Sequence, residues 1–138
     1  MGAPYYGAYF ATKALAGADY VAPLDNASTG YAAYAIYKGN TPVRVLLYNS
    51  DYYTSGTRSS KVFQLTGLTS SAVKASRLTA PFSTSRVDRG QPPSAGGLQF
   101  QNGSCTVVGN EIFESGTVQN GGVSFTLQAS EALIVYLC

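Results

Sequence analysis

The chain has 138 residues, 45% of them apolar and only 12% charged, with a formal net charge of +2. That apolar share excludes a disordered chain, and nine basic residues that never form a run exclude a nucleic-acid surface. No apolar stretch approaches the roughly 18–20 residues needed to cross a bilayer, so no membrane partner is expected.

The length predicts a single domain over residues 1–138, large enough for a real core. Abundant Gly, Ser, Thr and Tyr with few Lys and Glu favour strands and suit an extracellular protein. Met1-Gly2 runs straight into folded-type sequence, with neither a basic start nor a long apolar segment, so no signal peptide is read here. Tyr6 stands where a myristoylation motif wants Ser or Thr. Met1 then reads either as a start added for expression or as the start of a shortened reading frame.

In chain order, residues 4–18 predict the one clear helix. Pro4 suits its first turn, Tyr6, Phe10, Ala14 and Ala18 recur every four residues, and Gly17 is the expected stop. From Tyr20 the period becomes two. Residues 20–24 predict a short strand and 31–38 a stronger one, with Ala32, Tyr34, Ile36 and Lys38 on one face and Tyr31, Ala33, Ala35 and Tyr37 on the other. Gly39-Asn40-Thr41-Pro42 reads as a four-residue turn into residues 43–49, which are apolar on both faces except at Arg44, as in a central strand.

Residues 50–60 form a polar loop carrying Tyr52 and Tyr53, expected to be exposed. Strands follow at 61–65 and 72–78, then an irregular Pro/Ser/Gly-rich stretch over 81–97, then shorter strands near 97–101, 106–108 and 111–114. Residues 123–128, Ala129-Ser130 and 131–137 read as a final β-hairpin. About eight short antiparallel strands behind one N-terminal helix predict a mostly β fold, a β-sandwich (residues 20–138) preceded by a helix (residues 4–18).

Much chemistry is missing. There is no His, which removes the commonest general base, any Ser-His or Cys-His pair and the usual transition-metal ligand. No phosphate loop, calcium loop or zinc set is present, so no cofactor and no metal are expected. Glycoside hydrolysis needs two carboxyl groups about 5–5.5 Å or 6.5–9.5 Å apart. Glu111 and Glu114 are the nearest in sequence, but a strand would put them on opposite faces, as solvated strand-end charges. No catalytic residue is assigned.

Other positions bear on binding and stability. Cys105 and Cys138 allow one disulfide, closing a loop of about 33 residues for roughly 3–4 kcal/mol. Two inert thiols on neighbouring strands are the alternative. Asn26-Ala27-Ser28 and Asn102-Gly103-Ser104 are N-glycosylation tripeptides in predicted turns, at Asn26 and Asn102. Among eleven tyrosines, Tyr31, Tyr34 and Tyr37 either cover both sides of one strand or offer a sugar-stacking platform. Tyr52 and Tyr53 are the better candidate ligand contacts.

Six blocks occur in a telling order. Pro4-Tyr5-Tyr6-Gly7-Ala8-Tyr9-Phe10 leads to Tyr31-Ala32-Ala33-Tyr34-Ala35-Ile36-Tyr37 and Val43-Arg44-Val45-Leu46-Leu47-Tyr48-Asn49. Then come Arg77-Leu78-Thr79-Ala80-Pro81, Gly96-Gly97-Leu98-Gln99-Phe100 and Ser130-Glu131-Ala132-Leu133-Ile134-Val135. This succession resembles the C-terminal region of fungal glycoside hydrolases of family 79, the β-glucuronidase and heparanase-like enzymes. The resemblance implies a last barrel helix followed by a β-sandwich, with the catalytic glutamates in a (β/α)8 barrel that this chain lacks. The Trp usual before the Gly-Gln-Ser-Phe-like block is absent, Ser94-Ala95 standing there, and the Cys105/Cys138 pair is foreign to the family pattern. The resemblance also implies a sheet edge and a helix face left uncovered without the barrel.

The leading reading is a non-catalytic secreted sandwich related to a glycosidase accessory domain, acting through binding or self-association. A homo-oligomer would form through the N-terminal helix or the open edge. The alternatives are a carbohydrate-binding module, a fragment of a family 79 β-glucuronidase, and a small secreted ligand of a protein receptor, such as an effector or taste-active protein.

Overall fold

The computed structural model describes residues 3–25, 30–101, 103–104 and 106–137. Asn26, Asn102, Cys105 and Cys138 lie outside the described residues, and with them the expected disulfide and both glycosylation sites.

The fold is mostly β; among the described residues one α-helix, α1 (Ala3–Leu15), precedes eleven strands where about eight were expected. They are β1 (Tyr20–Pro23), β2 (Tyr31–Lys38), β3 (Thr41–Asn49), β4 (Ser60–Leu65), β5 (Ala72–Thr79), β6 (Ser94–Ala95), β7 (Gln99–Phe100), β8 (Val107–Val108), β9 (Glu114–Thr117), β10 (Val123–Gln128) and β11 (Glu131–Tyr136). All pairings are antiparallel. A seven-stranded sheet runs β1-β2-β3-β11-β5-β6, with β9 also on β5, where it occupies the stretch of edge that β6 leaves free. β10 and β4 make a two-stranded second layer, and β7 with β8 a small ribbon.

The large sheet is apolar on both faces because both faces are covered. Val45, Leu47, Val73, Ala75, Leu133 and Val135 meet Leu65, Val123, Phe125 and Leu127 of the small sheet, forming the sandwich core. Gly116 sits where the sheets come closest, and a Cβ there would lie 2.8 Å from Val123 and 2.9 Å from Phe125. On the opposite face Ile36 and Ile134 receive Tyr6, Phe10 and Ala14 of α1. These three helix residues are the every-fourth stripe of the sequence, and burial of each large side chain contributes about 1.5–3 kcal/mol. The helix stops at Leu15 rather than Ala18, and Arg44 on β3 donates to the Ala14 carbonyl (2.8 Å) and to that of Ala16, satisfying orphan C-terminal carbonyls.

Two turns differ from expectation. The β2–β3 connection is the two residues Gly39-Asn40, not four, because Lys38 pairs with Thr41 and Tyr37 with Pro42 across a register shift. Gly39 takes φ +61° at the first central position, and its N–H donates to Asp19 Oδ2 at 2.6 Å. Pro42 is tolerated in an interior strand because β11 begins pairing with β3 only at Arg44. The second difference is larger: β10 and β11 are not a hairpin. Strand β10 pairs with β4, and β11 with β3 and β5, so Ala129-Ser130 is a corner that carries the chain from one layer to the other. Ser130 takes φ +61°, its N–H donates to the Asn49 carbonyl (2.9 Å) and its hydroxyl to the Asp51 carbonyl (2.8 Å). The strand expected over 111–114 starts instead at Glu114, because the Ile112 N–H is drawn off to the Gly96 carbonyl at 2.7 Å.

Candidate functional site

The structure does not bring Tyr52 and Tyr53 together as one contact surface. Tyr52 is 74% exposed and has no aromatic neighbour among the described residues. Tyr53, expected to be exposed, is half-buried. Its ring stacks on Phe82 (5.7 Å, 21°), the Arg58 guanidinium lies 5.2 Å from its centroid, and its N–H donates to Ser83 Oγ at 2.6 Å. The loop is tied down by a polar hub that nothing in the local pattern announced. Buried Asn49 donates to the Leu127 carbonyl (3.2 Å) and accepts from the Asp51 N–H (3.0 Å), while Asp51 accepts from Tyr31 Oη at 2.9 Å.

Tyr31, Tyr34 and Tyr37 divide among three different contacts. Tyr31 meets Phe63 edge-on at 6.4 Å, Tyr34 stacks with Tyr48 at 6.3 Å, and Tyr37 with Tyr20 at 4.7 Å. The hydrogen bond between Tyr34 and Tyr48, with desolvation behind it, pushes the Tyr48 hydroxyl above its ordinary value. The three rings thus cover both faces of β2 and form no shared platform.

The carboxylates are engaged rather than solvated. Glu111 pairs with Lys13 of α1 on the helix face. Glu114 lies on the other side of the sheet in a two-point pair with Arg77, Nε–Oε2 at 2.6 Å and Nη2–Oε1 at 2.8 Å. Arg77 Nη1 also holds Glu131 at 2.7 Å and the Thr126 carbonyl at 3.0 Å. Buried Glu131 spends its remaining capacity on the Gln128 N–H (2.8 Å) and the Thr79 hydroxyl (2.6 Å). The hydrogen bond to Glu114 raises the Arg77 guanidinium further above its already high range, against desolvation. Glu114 and Glu131 are therefore brought together, but around a cation that takes the oxygens a glycosidase pair would aim at substrate. Their function in this fold is to clamp β5, β9 and β11 to β10. Local spacing could not show Glu131, since its partners lie 52 and 54 residues away. Among the described residues, no three His, Cys, Asp or Glu side chains cluster to hold a metal ion.

The open spaces lie elsewhere. A mainly apolar cavity of about 380 Å³ runs beside β4, lined by Ala33, Ala35, Val45 and Leu47 of the large sheet and Phe63 and Leu65 of the small one. It exists because seven strands are faced by two: among the described residues β4 pairs only with β10, and its other edge opens onto this groove. A shelf of about 440 Å³ lies on the helix face, lined by Ala72, Val73, Lys74, Ser115 and Tyr136. A smaller space of about 160 Å³ separates the start of α1 from residues 78–85.

A helix laid on a seven-stranded sheet and a partly built second layer define a mostly β protein of the sandwich class. The chain matches the family described as Glycosyl hydrolase family 79 C-terminal beta domain over residues 33–134, and it belongs to that family. It is similar to the crystal structure of a 4-O-α-L-rhamnosyl-β-D-glucuronidase from Fusarium oxysporum 12S in complex with Rha-GlcA, with 65% identity and a TM-score of 0.98. That match covers 99% of this chain and 30% of the glucuronidase. No curated protein matches the chain. No helix among the described residues is long and apolar enough to cross a membrane.

Proposed function

We propose that this chain is a non-catalytic, secreted accessory domain of a family 79 glycosidase, and that it acts by binding an extended segment along the open edge of β4. The single observation that carries this reading is the unfinished second layer. An edge strand with free backbone groups lies beside an apolar groove of about 380 Å³ under the large sheet, the geometry that receives an added strand. Val62, on the solvent side of β4, is 58% exposed, and the charge on that strand, Lys61, sits towards its start. The occupant we favour is a segment of a longer polypeptide, because the similar glucuronidase extends well beyond the region this chain matches. That longer protein would act on uronic-acid glycosides.

Two measurements test the reading. The chain should release no 4-nitrophenol from 4-nitrophenyl-β-D-glucuronide, and turnover abolished by Glu114→Gln or Glu131→Gln would overturn its non-catalytic part. In a solution of this chain alone a second copy is the occupant on offer. Light scattering should show concentration-dependent association that Val62→Lys removes. A strict monomer whose outward β4 amides exchange freely at every concentration would sink the edge-binding part. The helix is the weaker route to association, since Tyr6, Phe10 and Ala14 already pack on this chain's own sheet.

A further inference from the structure

The helix covers its face of the large sheet only as far as Lys13, and beyond it one row of side chains crosses three strands in register. Tyr136 on β11 stands opposite Lys74 on β5, and Lys74 opposite Ser115 on β9. Lys74 and Ser115 are exposed and Tyr136 is half-buried, and all three line the shelf of about 440 Å³.

The chemistry of the row is specific. Phe113 packs edge-on against Tyr136 at 6.0 Å, making an aromatic corner. The Lys74 ammonium lies 4.5 Å from the Phe113 centroid and 5.7 Å from that of Tyr136. Neighbouring Lys13 is neutralised by Glu111, whereas Lys74 has no carboxylate within salt-bridge reach among the described residues. Its charge is held in place by two rings while its N–H donors remain available. A ring for the C–H face of a pyranose, an unneutralised ammonium and a hydroxyl beside it match a sugar that bears a carboxylate.

We infer that the Tyr136–Lys74–Ser115 row binds a uronic-acid residue of a saccharide, with Lys74, steadied by Phe113, on the carboxylate, the Tyr136 ring on the sugar and Ser115 on a hydroxyl. The choice of a uronic acid rests on the glycosidase-accessory reading; the site itself does not.

The test is calorimetric titration of the full chain with a glucuronate-terminated disaccharide and with its carboxyl-reduced counterpart. Binding should weaken about tenfold or more on carboxyl reduction and on Lys74→Gln, as expected for loss of one charge-assisted contact. Lys74→Arg keeps the charge and should bind the glucuronate-terminated disaccharide more tightly than Lys74→Gln does. Lys61→Gln, on a lysine held over Tyr31 elsewhere in the molecule, should change nothing. Lys74 is exposed, so Lys74→Gln should fold, and an unchanged unfolding midpoint verifies it. Equal affinity for the reduced sugar, equal loss in Lys61→Gln, or no heat at millimolar saccharide would overturn the inference. These outcomes are read by saccharide heat and not by association, so association lost in Val62→Lys separates failure here from failure of the edge-binding reading.

Discussion

The two faces of the seven-stranded sheet are finished to different degrees. On the helix face one amphipathic element covers Ile36 and Ile134, its C-terminal carbonyls are satisfied by Arg44, and Tyr6, Tyr5 and Tyr9 close around Phe100 at 5.2, 5.0 and 4.9 Å. On the other face two strands cover part of the sheet, a groove stays open beside β4, and the layers are joined by a charged clamp at the rim. A helix satisfies its own backbone except at its two ends, and here Arg44 takes up carbonyls of the last turn. A two-stranded layer has two edges and is complete only when something else pairs with them. This domain thus holds its own structure on one side and presents an incomplete one on the other.

The comparison breaks most visibly at Arg77. Arg77→Met removes the cation between Glu114 and buried Glu131, and a broken buried pair of this kind costs about 3–5 kcal/mol. Urea unfolding should show that loss, and adding Glu131→Leu to Arg77→Met should recover much of it by removing the stranded charge. A loss under about 1 kcal/mol for Arg77→Met would mean that the small sheet is held by its apolar contacts alone.

A smaller effect should mark the finished face. Tyr6 Oη accepts the Phe100 N–H at 2.9 Å inside the helix-side core. Tyr6→Phe keeps the ring and leaves that N–H unpaired, at a cost of about 1–3 kcal/mol. Amide exchange at Phe100 should accelerate while amides of β4 and β10 are unchanged. Equal acceleration on both layers would show that the two faces unfold as one unit, and would erase the distinction.

What could be read before folding follows the same division. The every-fourth stripe of α1 and the two-faced apolar run of β3 are local, and the structure places both as expected except for Ala18, which falls beyond the helix. The corner at Ala129-Ser130 was misread as a hairpin because the turn is local but the choice of partner is not. A signal was present: Val123, Phe125 and Leu127 alternate with polar residues, as in a layer with one wet face, whereas Leu133-Ile134-Val135 is unbroken, as in a strand covered on both sides. Two such patterns belong to different layers. The clamp at Arg77 and the packing of Tyr53 on Phe82 had no comparable signal, since each joins residues far apart in sequence through side-chain geometry. Tyr136, Lys74 and Ser115 were likewise unreadable as a row, because their strands are neighbours only in the folded sheet.

The smallest predicted effect separates the faces by pH. Tyr31, on the sandwich side, has its hydroxyl raised above the ordinary 10.0 by its hydrogen bond to Asp51, with desolvation second. Tyr48, on the helix side, is raised by its bond with Tyr34. In each case the folded chain holds the phenol proton more tightly than the unfolded chain does. The contribution is therefore complete below about pH 10 and is lost as pH rises through the folded value, where the unfolded state binds fewer protons. Lys13 adds to the same limb from 10.5, because its bond to Glu111 and the charges of Tyr136, Glu111 and Tyr9 outweigh the lowering by burial. Urea midpoints should be flat from neutral pH to about 9 and fall beyond 10. Tyr31→Phe and Tyr48→Phe should each make that fall shallower. If Tyr48→Phe alone does so, the proton is held only on the finished face, and the Tyr31–Asp51 bond is too exposed to the open side to couple to folding.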